Sequence, residues 1–413
     1  MRPIEVLHLT FSFMPADPRV KREALAAAAT GRRVAVICLR AADERPVERH
    51  GPVLIIRVPA AKSRGGFLRY SAEYLDFLWR CRRLVAGHRG LRGVRLVHVA
   101  TLPDFLLWAA LPARRRGAKL VLDMHEIFPE FTRARFGGLA GRLLGPLADT
   151  IERWARRTAD LTVTVNRPIE RLLASRPARP DEWRIVVHNT AAPSDFGDGA
   201  PGRPARGSDR APRFIYHGTL TRMYGLDLAI EGIARARAAG VPASLAILGD
   251  GPERSALERQ ADTSAIAGAV TFERPIPHRE LPQRLLACDA AIIPTRLDGM
   301  TRFSLSTKLL ECVHLGLPVL AARLPSYEAY FDDEALWYWR PGDPADLAAR
   351  IAEFVAAPAA ARGDRARRAQ AAIAELRWEV EGTRLMEAYA RLLGQQPPAP
   401  KTEAMRSAAF PSP

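Results

Sequence analysis

Four short apolar segments between residues 214 and 322 constrain the fold of this chain more than any other feature. Each segment ends in a loop of small or charged residues, and a helical pattern follows each loop. The four are FIYHGTLTRMYG (214–225), LAILGDGPE (245–253), AIIPTRLDG (291–299) and FSLSTKLLECVHLGLPVLAA (303–322). Strands that alternate with helices predict a parallel sheet, which binds ligands beyond the carboxyl ends of its strands. We therefore expect these loops to form a binding site at one sheet edge.

The first half of the chain shows the same alternation. Its near-continuous Val, Ile and Leu runs are typical of strands in a parallel sheet that is covered on both faces. The runs are EVLHLTF, RVAVICLR, VLIIRVP, RLVHVA, KLVLDMH, LTVTVN and RIVVHN. Since 413 residues exceed what one hydrophobic core usually supports, the chain is expected to form two α/β domains.

The domain boundary is predicted from composition. Residues 193–213 are rich in Gly, Pro, Asp and Arg and have no apolar periodicity, which is typical of a linker. An amphipathic helix near the end precedes a Pro-rich polar tail that is expected to be disordered. The predicted parts are a Rossmann-like domain over 1–195, a linker over 196–213, a second Rossmann-like domain over 214–377, the helix over 378–393 and the tail over 394–413.

The order and spacing of the four segments resemble the nucleotide-binding half of a GT-B glycosyltransferase of family 4. The resemblance implies two doubly wound parallel-sheet domains facing across a cleft, with the final helix crossing back to the first domain. It also implies a retaining, metal-independent transfer without a cofactor. The nucleotide-sugar would bind mostly to the second domain and the acceptor to the first, and closure would exclude water.

The helix that begins near Ser306 is the predicted diphosphate site. N–H groups at the positive end of a helix bind anions, and Thr307 and Lys308 follow directly. By resemblance, Glu311 accepts hydrogen bonds from both ribose hydroxyls, which suits the two oxygens of a carboxylate. A solvated surface lysine is the alternative for Lys308. The segment ERPIP (273–277) follows the predicted strand AVTF and, by resemblance, matches the place where related proteins pack the nucleobase against the backbone.

Two glycine-containing turns complete the predicted donor site. Gly218 and Thr219 follow the first strand of the second domain, and Arg222 could reach the same phosphates through its paired N–H groups. Gly249 and Gly251 follow the next strand, where the absence of a side chain lets a ligand approach the backbone. A tight turn without a ligand is the alternative for these two glycines.

The chain departs from the family pattern at two places. The first glutamate of the E-x7-E motif, which faces the donor sugar in the family, is replaced by Phe303, and Asp298 is the nearest carboxylate that could substitute. The two cations that the family often has in its first loop are replaced by Thr219 and Tyr224. Both changes are similar to those of divergent branches of family 4.

The strand KLVLDMH leads into a D-x-H-E-x-x-P-E string that resembles a second characteristic segment of the family. There the histidine faces the donor sugar, so the resemblance assigns a catalytic contact to His125 and places Glu126 on the acceptor side. A buried histidine that is satisfied by Asp123 is the alternative.

The loop after the first strand carries a D-x-R pattern that is also found in related transferases. On that basis Asp17 and Arg19 are predicted on the acceptor side. An N-cap at Asp17 and a proline at the helix start explain the same residues without a role in binding.

Charge and apolar patterning bear on the partners. Lys and Arg total 61 against 45 Asp and Glu, a formal net charge of +16, which fits either ordinary surface arginines or attraction to an anionic partner. No nucleic-acid-binding signature accompanies the charge, so no nucleic acid is expected. Residues 66–83 interleave aromatic and aliphatic residues with four arginines. This pattern is typical of a helix on an anionic membrane surface, or of an ordinary helix packed on the first sheet.

The sequence predicts a cytoplasmic protein that is peripheral to the membrane at most. Its apolar runs are far shorter than the roughly 20 residues that span a bilayer, and the N-terminus lacks the features of a secretory signal. Four widely spaced cysteines without a C-x-x-C pair are expected to be buried thiols rather than disulfides or zinc ligands.

Together these features predict a retaining glycosyltransferase with a UDP- or GDP-sugar donor and a glycan, lipid-linked or small-molecule acceptor. Helix-end N–H groups, Arg222 and Lys308 would stabilise the charge that develops on the leaving diphosphate. A sugar-nucleotide epimerase on the same architecture is one alternative. A catalytically weak partner subunit is another, suggested by Phe303. A pyridoxal-phosphate phosphorylase would need a cofactor lysine and a much longer chain.

Overall fold

The structure is a computed structural model that describes residues 3–59, 67–136, 138–190, 211–263 and 266–396. The chain divides into two compact units. Unit 1 comprises Met1–Asn189 and Glu379–Pro413, and unit 2 comprises Thr190–Trp378. The predicted linker, apart from residues 211–213, and the predicted tail beyond residue 396 lie outside the described residues.

Fourteen strands occur in the described part of the chain, eight in unit 1 and six in unit 2. Those of unit 1 are β1 (Val6–Phe13), β2 (Val34–Leu39), β3 (Val47–His50), β4 (Val53–Val58), β5 (Leu96–Thr101), β6 (Lys119–Met124), β7 (Leu161–Thr164) and β8 (Arg184–Val186). Those of unit 2 are β9 (Arg213–His217), β10 (Ser244–Leu248), β11 (Val270–Glu273), β12 (Ala290–Ile293), β13 (Val319–Ala322) and β14 (Trp337–Trp339).

Helices separate most of these strands. The first six are α1 (Pro18–Ala29), α2 (Phe67–Gly87), α3 (Leu111–Arg114), α4 (Phe128–Phe136), α5 (Gly138–Thr158) and α6 (Arg167–Ser175). The others are α7 (Leu226–Ala238), α8 (Arg254–Thr263), α9 (Leu281–Leu286), α10 (Thr307–His314), α11 (Pro325–Glu328), α12 (Pro344–Ala356), α13 (Ala359–Ala372) and α14 (Trp378–Leu392). Among the described residues, no helix combines the length and the apolar composition that a bilayer span requires.

Each unit is built on one sheet, as the alternation of strands and helices predicts. The sheet of unit 1 has the order β3-β4-β2-β1-β5-β6-β7-β8, and that of unit 2 has the order β11-β10-β9-β12-β13-β14. Every pairing is parallel except that of β3 with β4, which is antiparallel. The predicted fold class of two Rossmann-like parallel-sheet domains is thus confirmed.

Apolar strands and one-sided helices explain how the sequence forms unit 2. The whole of β12 is buried, and α10 buries Leu309, Leu310 and Val313 on one face. The periodicity of α10 therefore turns Lys308 and Glu311, which are half-buried, away from the core. At the start of the helix, the Ser306 side chain accepts a hydrogen bond from the N–H of Leu309, which is a standard N-cap.

The last helix, α14, packs within unit 1 apart from its first residue. Leu385, Met386 and Tyr389 are fully buried, and the Tyr389 hydroxyl lies 2.7 Å from Nδ1 of His98 on β5. At the other end, Oε1 of Glu381 lies 2.8 Å from Nδ1 of His188. This helix therefore joins the two ends of the chain in one core.

Two strands were not among the predicted ones. β3 has alternately exposed and half-buried residues and a single apolar side chain, Val47, so its pairing with β4 depends on backbone hydrogen bonds rather than on burial. β14 is the buried tripeptide Trp337–Trp339, too short to show a period. The four cysteines are free and buried thiols, as predicted.

Candidate functional site

A cavity of about 410 Å³ opens in unit 2 at the carboxyl ends of its central strands. Its walls come from the loops after β9, β10 and β11 and from the first turns of α10. Six predicted donor-site residues line it, namely Gly218, Thr219, Gly249, Thr307, Lys308 and Glu311. The structure thus brings together the loops that the sequence places at one sheet edge.

Close backbone contact between two loops requires the glycines at the cavity floor. A Cβ on Gly249 would lie 1.9 Å from the carbonyl oxygen of Gly218, and Gly218 itself has a φ of +117°. The Gly218 N–H donates to the carbonyl of Leu248 at 2.9 Å, which joins the two loops. Gly251 lies outside the cavity lining; a Cβ there would meet the Leu220 carbonyl oxygen at 2.4 Å. Its role in the structure is loop packing.

Glu311 is held as an anion inside this cavity. Its Oε2 lies 2.6 Å from Nε2 of His217, and its Oε1 lies 3.4 Å from Nε2 of His278. Burial alone would raise the pKa of Glu311, but the hydrogen bonds from the two histidines outweigh burial and lower the pKa to about 2. Each carboxylate oxygen can accept two hydrogen bonds and contacts one histidine here, so both oxygens keep acceptor capacity for a ligand.

Lys308 is more than a solvated surface residue. Its side chain crosses Gly218, because a Cβ on that glycine would lie 2.2 Å from Cε of the lysine. The ammonium nitrogen sits 3.7 Å from the ring centroid of Tyr224, a cation–π contact. The cation is therefore aimed at the glycine turn, beside the N-terminus of α10.

Three other predicted residues of unit 2 do not line the cavity. Ser306 is the N-cap of α10, and Arg222 is exposed in the 3₁₀ turn Arg222–Tyr224. Oδ1 of Asp298 accepts hydrogen bonds from the N–H groups of Met300 and Thr301 at 2.8 and 2.7 Å. This carboxylate thereby stabilises the turn that leads to Phe303.

The segment predicted to pack the nucleobase contributes to the cavity wall. Pro275 and Ile276 line the cavity, whereas Glu273 pairs with Arg284 and with Arg213. The wall at this point is apolar with nearby backbone groups, a surface against which a flat ring can pack.

In unit 1, His125 lies at the carboxyl edge of the sheet, directly after β6. Its Nε2 is 2.7 Å from Oδ2 of Asp123, and its side chain is 26% exposed. The pairing with Asp123 is the structural alternative that the sequence leaves open, and the partial exposure leaves the ring within reach of a ligand. Since an ionised carboxylate only accepts, Nε2 donates and Nδ1 is the nitrogen left to accept.

Arg19 lies in the interior of unit 1, not at its surface. Its Nη2 and Nε donate to the two oxygens of Asp123 at 2.7 and 2.9 Å, its Nη1 donates to the carbonyl of Val187, and Nε lies 3.1 Å from Oε1 of Glu23. Burial alone would raise the pKa of Asp123, but Arg19 and then His125 lower it well below the usual value. Arg19 thus holds the carboxylate that orients His125.

The other two residues predicted on the acceptor side have clear local roles. The Asp17 side chain accepts from the N–H groups of Arg19 and Val20, so it is the N-cap of α1. Glu126 is half-buried beside His125, and burial raises its pKa.

Buried polar residues next to Asp123 and Arg19 form a second cluster in unit 1. Ring nitrogens of His8 and His98 and an oxygen of Glu23 lie within 4.8 Å of one another, the one group of possible metal ligands in the part of the chain that the structure describes. The two imidazoles are stacked on neighbouring strands. Burial and then the charge of Asp123 raise the pKa of Glu23 well above its usual value. The Arg19 guanidinium already contacts this carboxyl, so the residues present fit a buried proton better than a cation.

Three residues that contact Glu311 or Lys308 have no role in the sequence-based prediction. His217 and His278 hold Glu311, and Tyr224 holds Lys308. His217 carries the clearest signal, because it is the last residue of β9 and immediately precedes the glycine turn.

Two family models match consecutive parts of the chain. Residues 211–357 match the model described as "Glycosyl transferases group 1", and residues 16–190 match the "Glycosyl transferase 4-like domain". Together they span most of both units.

Characterised relatives are distant. A 2-deoxystreptamine glucosyltransferase of Streptomyces kanamyceticus is 25% identical over 44% of this chain and 47% of its own length. A GDP-mannose-dependent alpha-(1-6)-phosphatidylinositol monomannoside mannosyltransferase of Mycolicibacterium smegmatis is 28% identical over 59% of this chain and 61% of its own. The matches therefore span only about half of these two relatives.

Solved structures match over nearly the whole chain. Sucrose-phosphate synthase from Thermosynechococcus elongatus gives a TM-score of 0.76 at 18% identity and covers 95% of this chain and 99% of its own. An Anabaena protein solved in complex with UDP gives 0.66 at 16% identity, covering 94% and 100%. At these identities the likeness shows the shared GT-B fold.

Proposed function

The chain belongs to the group 1 glycosyltransferases of family 4, and from this premise we propose that it transfers a sugar, with retention of configuration, from a UDP- or GDP-sugar to a glycan, lipid-linked or small-molecule acceptor. The acceptor oxygen forms a bond to the anomeric carbon while the bond to the nucleoside diphosphate breaks. The acceptor proton passes to the leaving diphosphate. Both nucleotides are kept because one similar structure contains UDP and one relative is named for its use of GDP-mannose.

The state of Glu311 carries this proposal. A carboxylate that is ionised, 14% exposed and fixed through both oxygens offers two adjacent acceptors at a defined place in an open cavity. A ribose diol presents two donors at matching spacing. The histidines His217 and His278 keep the charge on Glu311, so the diol would find an anion at any physiological pH.

The diphosphate would lie between the glycine turn and α10. The first N–H groups of a helix have no partner within the helix and point along its positive end. Thr307 and Lys308 are the first two residues of α10, and the lysine ammonium lies over the same turn. These groups supply the stabilisation that a divalent cation supplies in other transferases, so we propose a metal-independent transfer.

In unit 1, His125 would contact the sugar or the acceptor. Asp123 accepts from Nε2 and thereby fixes the ring orientation, which leaves Nδ1 to accept a hydrogen bond from a hydroxyl. Arg19 serves this site as a positioning residue, because it keeps Asp123 ionised. Asp17 and Glu126 on the same edge remain proposed acceptor-side residues, and Asp298 remains the proposed substitute for the missing glutamate.

The first experiment measures the melting temperature of the protein with UDP, GDP, ADP and dTDP. A nucleotide at a hundred times its dissociation constant adds about 2.7 kcal/mol of stability, which raises the melting temperature of a unit of this size by about 5–11 °C. We expect UDP or GDP to produce this shift. Glu311→Gln, which keeps the shape and a partner for His217 but loses the charge, should weaken nucleotide binding and remove most of the shift.

Glu280→Ala is the matched control, because Glu280 is an exposed glutamate in the turn His278–Glu280 and should leave the shift intact. The absence of a shift with any nucleotide would contradict the role of Glu311. It would favour the partner-subunit alternative, which Phe303 and the engagement of Asp298 in its turn already motivate. Conversion of the sugar-nucleotide without any acceptor would instead indicate an epimerase.

A further inference from the structure

Unit 1 contains an apolar groove that the proposed reaction does not use. It has a volume of about 190 Å³ and lies among α2, α4, α5 and the 3₁₀ segment Asp104–Ala110. Eleven of its thirteen lining residues have no polar side-chain atom. The hydroxyl of Thr132 donates to the Phe128 carbonyl at 2.8 Å, and Tyr74 is buried against Phe11. A sugar or peptide ligand would find few partners here, because polar ligands need placed donors and acceptors.

The mouth of the groove is an exposed apolar surface. Leu75 and Leu147 line the groove and are 50% and 55% exposed, and Trp79, one turn after Leu75 on α2, is 53% exposed. Within the described ranges, five large apolar side chains are about half exposed, and Leu75, Trp79 and Leu147 are three of the five. Clustered exposure of this kind marks a binding surface rather than chance.

The helix α2 already buries a different set of residues, so the exposed residues at the mouth cannot also pack on the sheet. Phe77 and Cys81 are fully buried and Leu78 nearly so, so the helix is packed on the sheet through another face. The sequence-based alternatives for this helix, packing on the sheet or lying on a membrane, are therefore compatible. The side chains of residues 67–71, in the predicted membrane-binding stretch, lie outside the described part.

The groove starts at the edge where the acceptor is proposed to bind. Phe128 lines the groove and follows His125 by three residues, while Leu102 and Pro103 line it directly after β5. Since β5 and β6 are parallel neighbours, these loops meet at one sheet edge. An acceptor held at His125 can thus extend into the groove without leaving unit 1.

Charge around the groove fits an amphiphile with an anionic head. Arg83 of α2 and Arg142 and Arg153 of α5 are exposed. Other arginines of these helices are paired, namely Arg80 with Asp76, Arg133 with Asp149 and the buried Arg156 with Glu182. The three exposed arginines give the outer surface of these helices an excess of positive charge. An apolar chain with a phosphate at its end satisfies both the groove and this excess.

We propose that this groove binds the hydrocarbon chain of the acceptor, which is a lipid carrying a phosphate between its chain and the group that receives the sugar. An apolar cavity of about 150 Å³ holds one benzene-sized ligand, so this groove takes a chain segment of about six to eight carbons. This inference rests on the proposed transferase function and narrows its acceptor to the lipid-linked class.

The probe is n-octyl phosphate below its micellar concentration, titrated into the full-length protein by calorimetry. We expect binding of n-octyl phosphate, no measurable binding of ethyl phosphate and at least tenfold weaker binding of octyltrimethylammonium. Leu147→Glu changes the exposed mouth, and Ala148→Trp fills the groove. Each variant should bind n-octyl phosphate at least tenfold more weakly than the wild type. Val47→Glu is the matched control. Val47 is an equally exposed apolar residue of unit 1, but it lies on the edge strand β3 and does not line the groove.

Failure of this inference is separable from failure of the proposed function. Each variant is also melted with UDP and GDP, and the groove variants should keep the wild-type shift. Equal binding of n-octyl phosphate to wild type and both groove variants would overturn the groove, whatever the nucleotides do. If Leu147→Glu instead converts a dimer to a monomer in sedimentation, or reduces vesicle binding alone, the surface serves a second copy or the membrane and the acceptor inference is wrong.

Discussion

Replacement of Arg19 by methionine tests whether the buried pair in unit 1 keeps Asp123 ionised. Arg19 and Asp123 are 3% and 0% exposed, so the variant leaves a carboxylate without its guanidinium in the interior. Loss of one partner of a buried pair costs about 3–5 kcal/mol, because the other charge stays desolvated. Methionine keeps most of the side-chain volume, so packing loss adds little. For a unit of this size the cost corresponds to about 6–20 °C in melting temperature.

The contribution of Asp123 to the pH dependence of stability should change sign in this variant. In the wild type the depressed pKa of Asp123 contributes stability above its unfolded value near 3.9, and the contribution is lost as pH falls. Without Arg19, burial raises the pKa of Asp123 in the folded state. Protonation then relieves the unpaired charge, so Arg19→Met should gain stability as pH falls from 7 to 5.

Buried cysteines provide an assay that reports each unit separately. Cys38 and Cys81 lie in unit 1, whereas Cys288 and Cys312 lie in unit 2, and all four are buried. Thiol labelling in increasing urea, quantified by mass spectrometry, should show an earlier midpoint for the first pair in Arg19→Met. The second pair serves as the internal reference.

Two further variants sharpen this test. Arg22→Met on the same helix removes a half-buried arginine that makes a long 3.4 Å contact to Asn189, and it should cost clearly less stability than Arg19→Met. Adding Asp123→Asn to Arg19→Met removes the unpaired charge and should recover at least half of the loss. A cost below about 1 kcal/mol for Arg19→Met, with no reversal of the pH slope, would refute the reasoning.

Three other predictions concern the donor site. Gly249→Ala should abolish the nucleotide-induced melting shift because its Cβ would overlap the Gly218 carbonyl, whereas Gly240→Ala, also at a positive φ but in open space, should keep it. Lys308→Met should weaken nucleoside diphosphate binding about ten- to a hundredfold in calorimetry, as loss of a charged hydrogen bond does, and leave the free nucleoside unaffected. EDTA should leave transfer rates unchanged; rescue of an EDTA-treated enzyme by Mg²⁺ would contradict metal independence.

The sequence predicts the fold well because its signals are local. Continuous apolar runs specify buried parallel strands, and residues such as Asp17 and Ser306 start helices through their own side chains. β3 escapes prediction because its stability comes from a partner strand, which a run of four residues does not reveal.

The gathering of the predicted donor-site residues in the unit 2 cavity is predicted in outline for a similar reason. Gly218, Gly249 and Glu311 each have a local signal, namely a glycine turn or a place near a helix start. The partnership of His217 with Glu311 spans 94 positions in sequence, and it exists only because two strand ends meet at one sheet edge. Likewise, the burial of Arg19 depends on Asp123, 104 positions away, so the D-x-R pattern alone cannot separate a surface contact from a buried pair.

The two units share one electrostatic arrangement, and it limits what their carboxylates can do. Burial would raise the pKa of both Asp123 and Glu311, but neighbouring cations or hydrogen-bond donors keep both carboxylates ionised. The pKa of Glu311 is lowered to about 2. A general acid or base works best with a pKa near the operating pH, so neither carboxylate is suited to proton transfer. The roles that we propose for them, to orient His125 and to accept hydrogen bonds from hydroxyl groups, need no such transfer. The ratio of nucleotide affinities of wild type and Glu311→Gln should therefore stay constant between pH 5 and 9. A ratio that changes around neutrality would show that Glu311 titrates there and would overturn its assignment as a permanent anion.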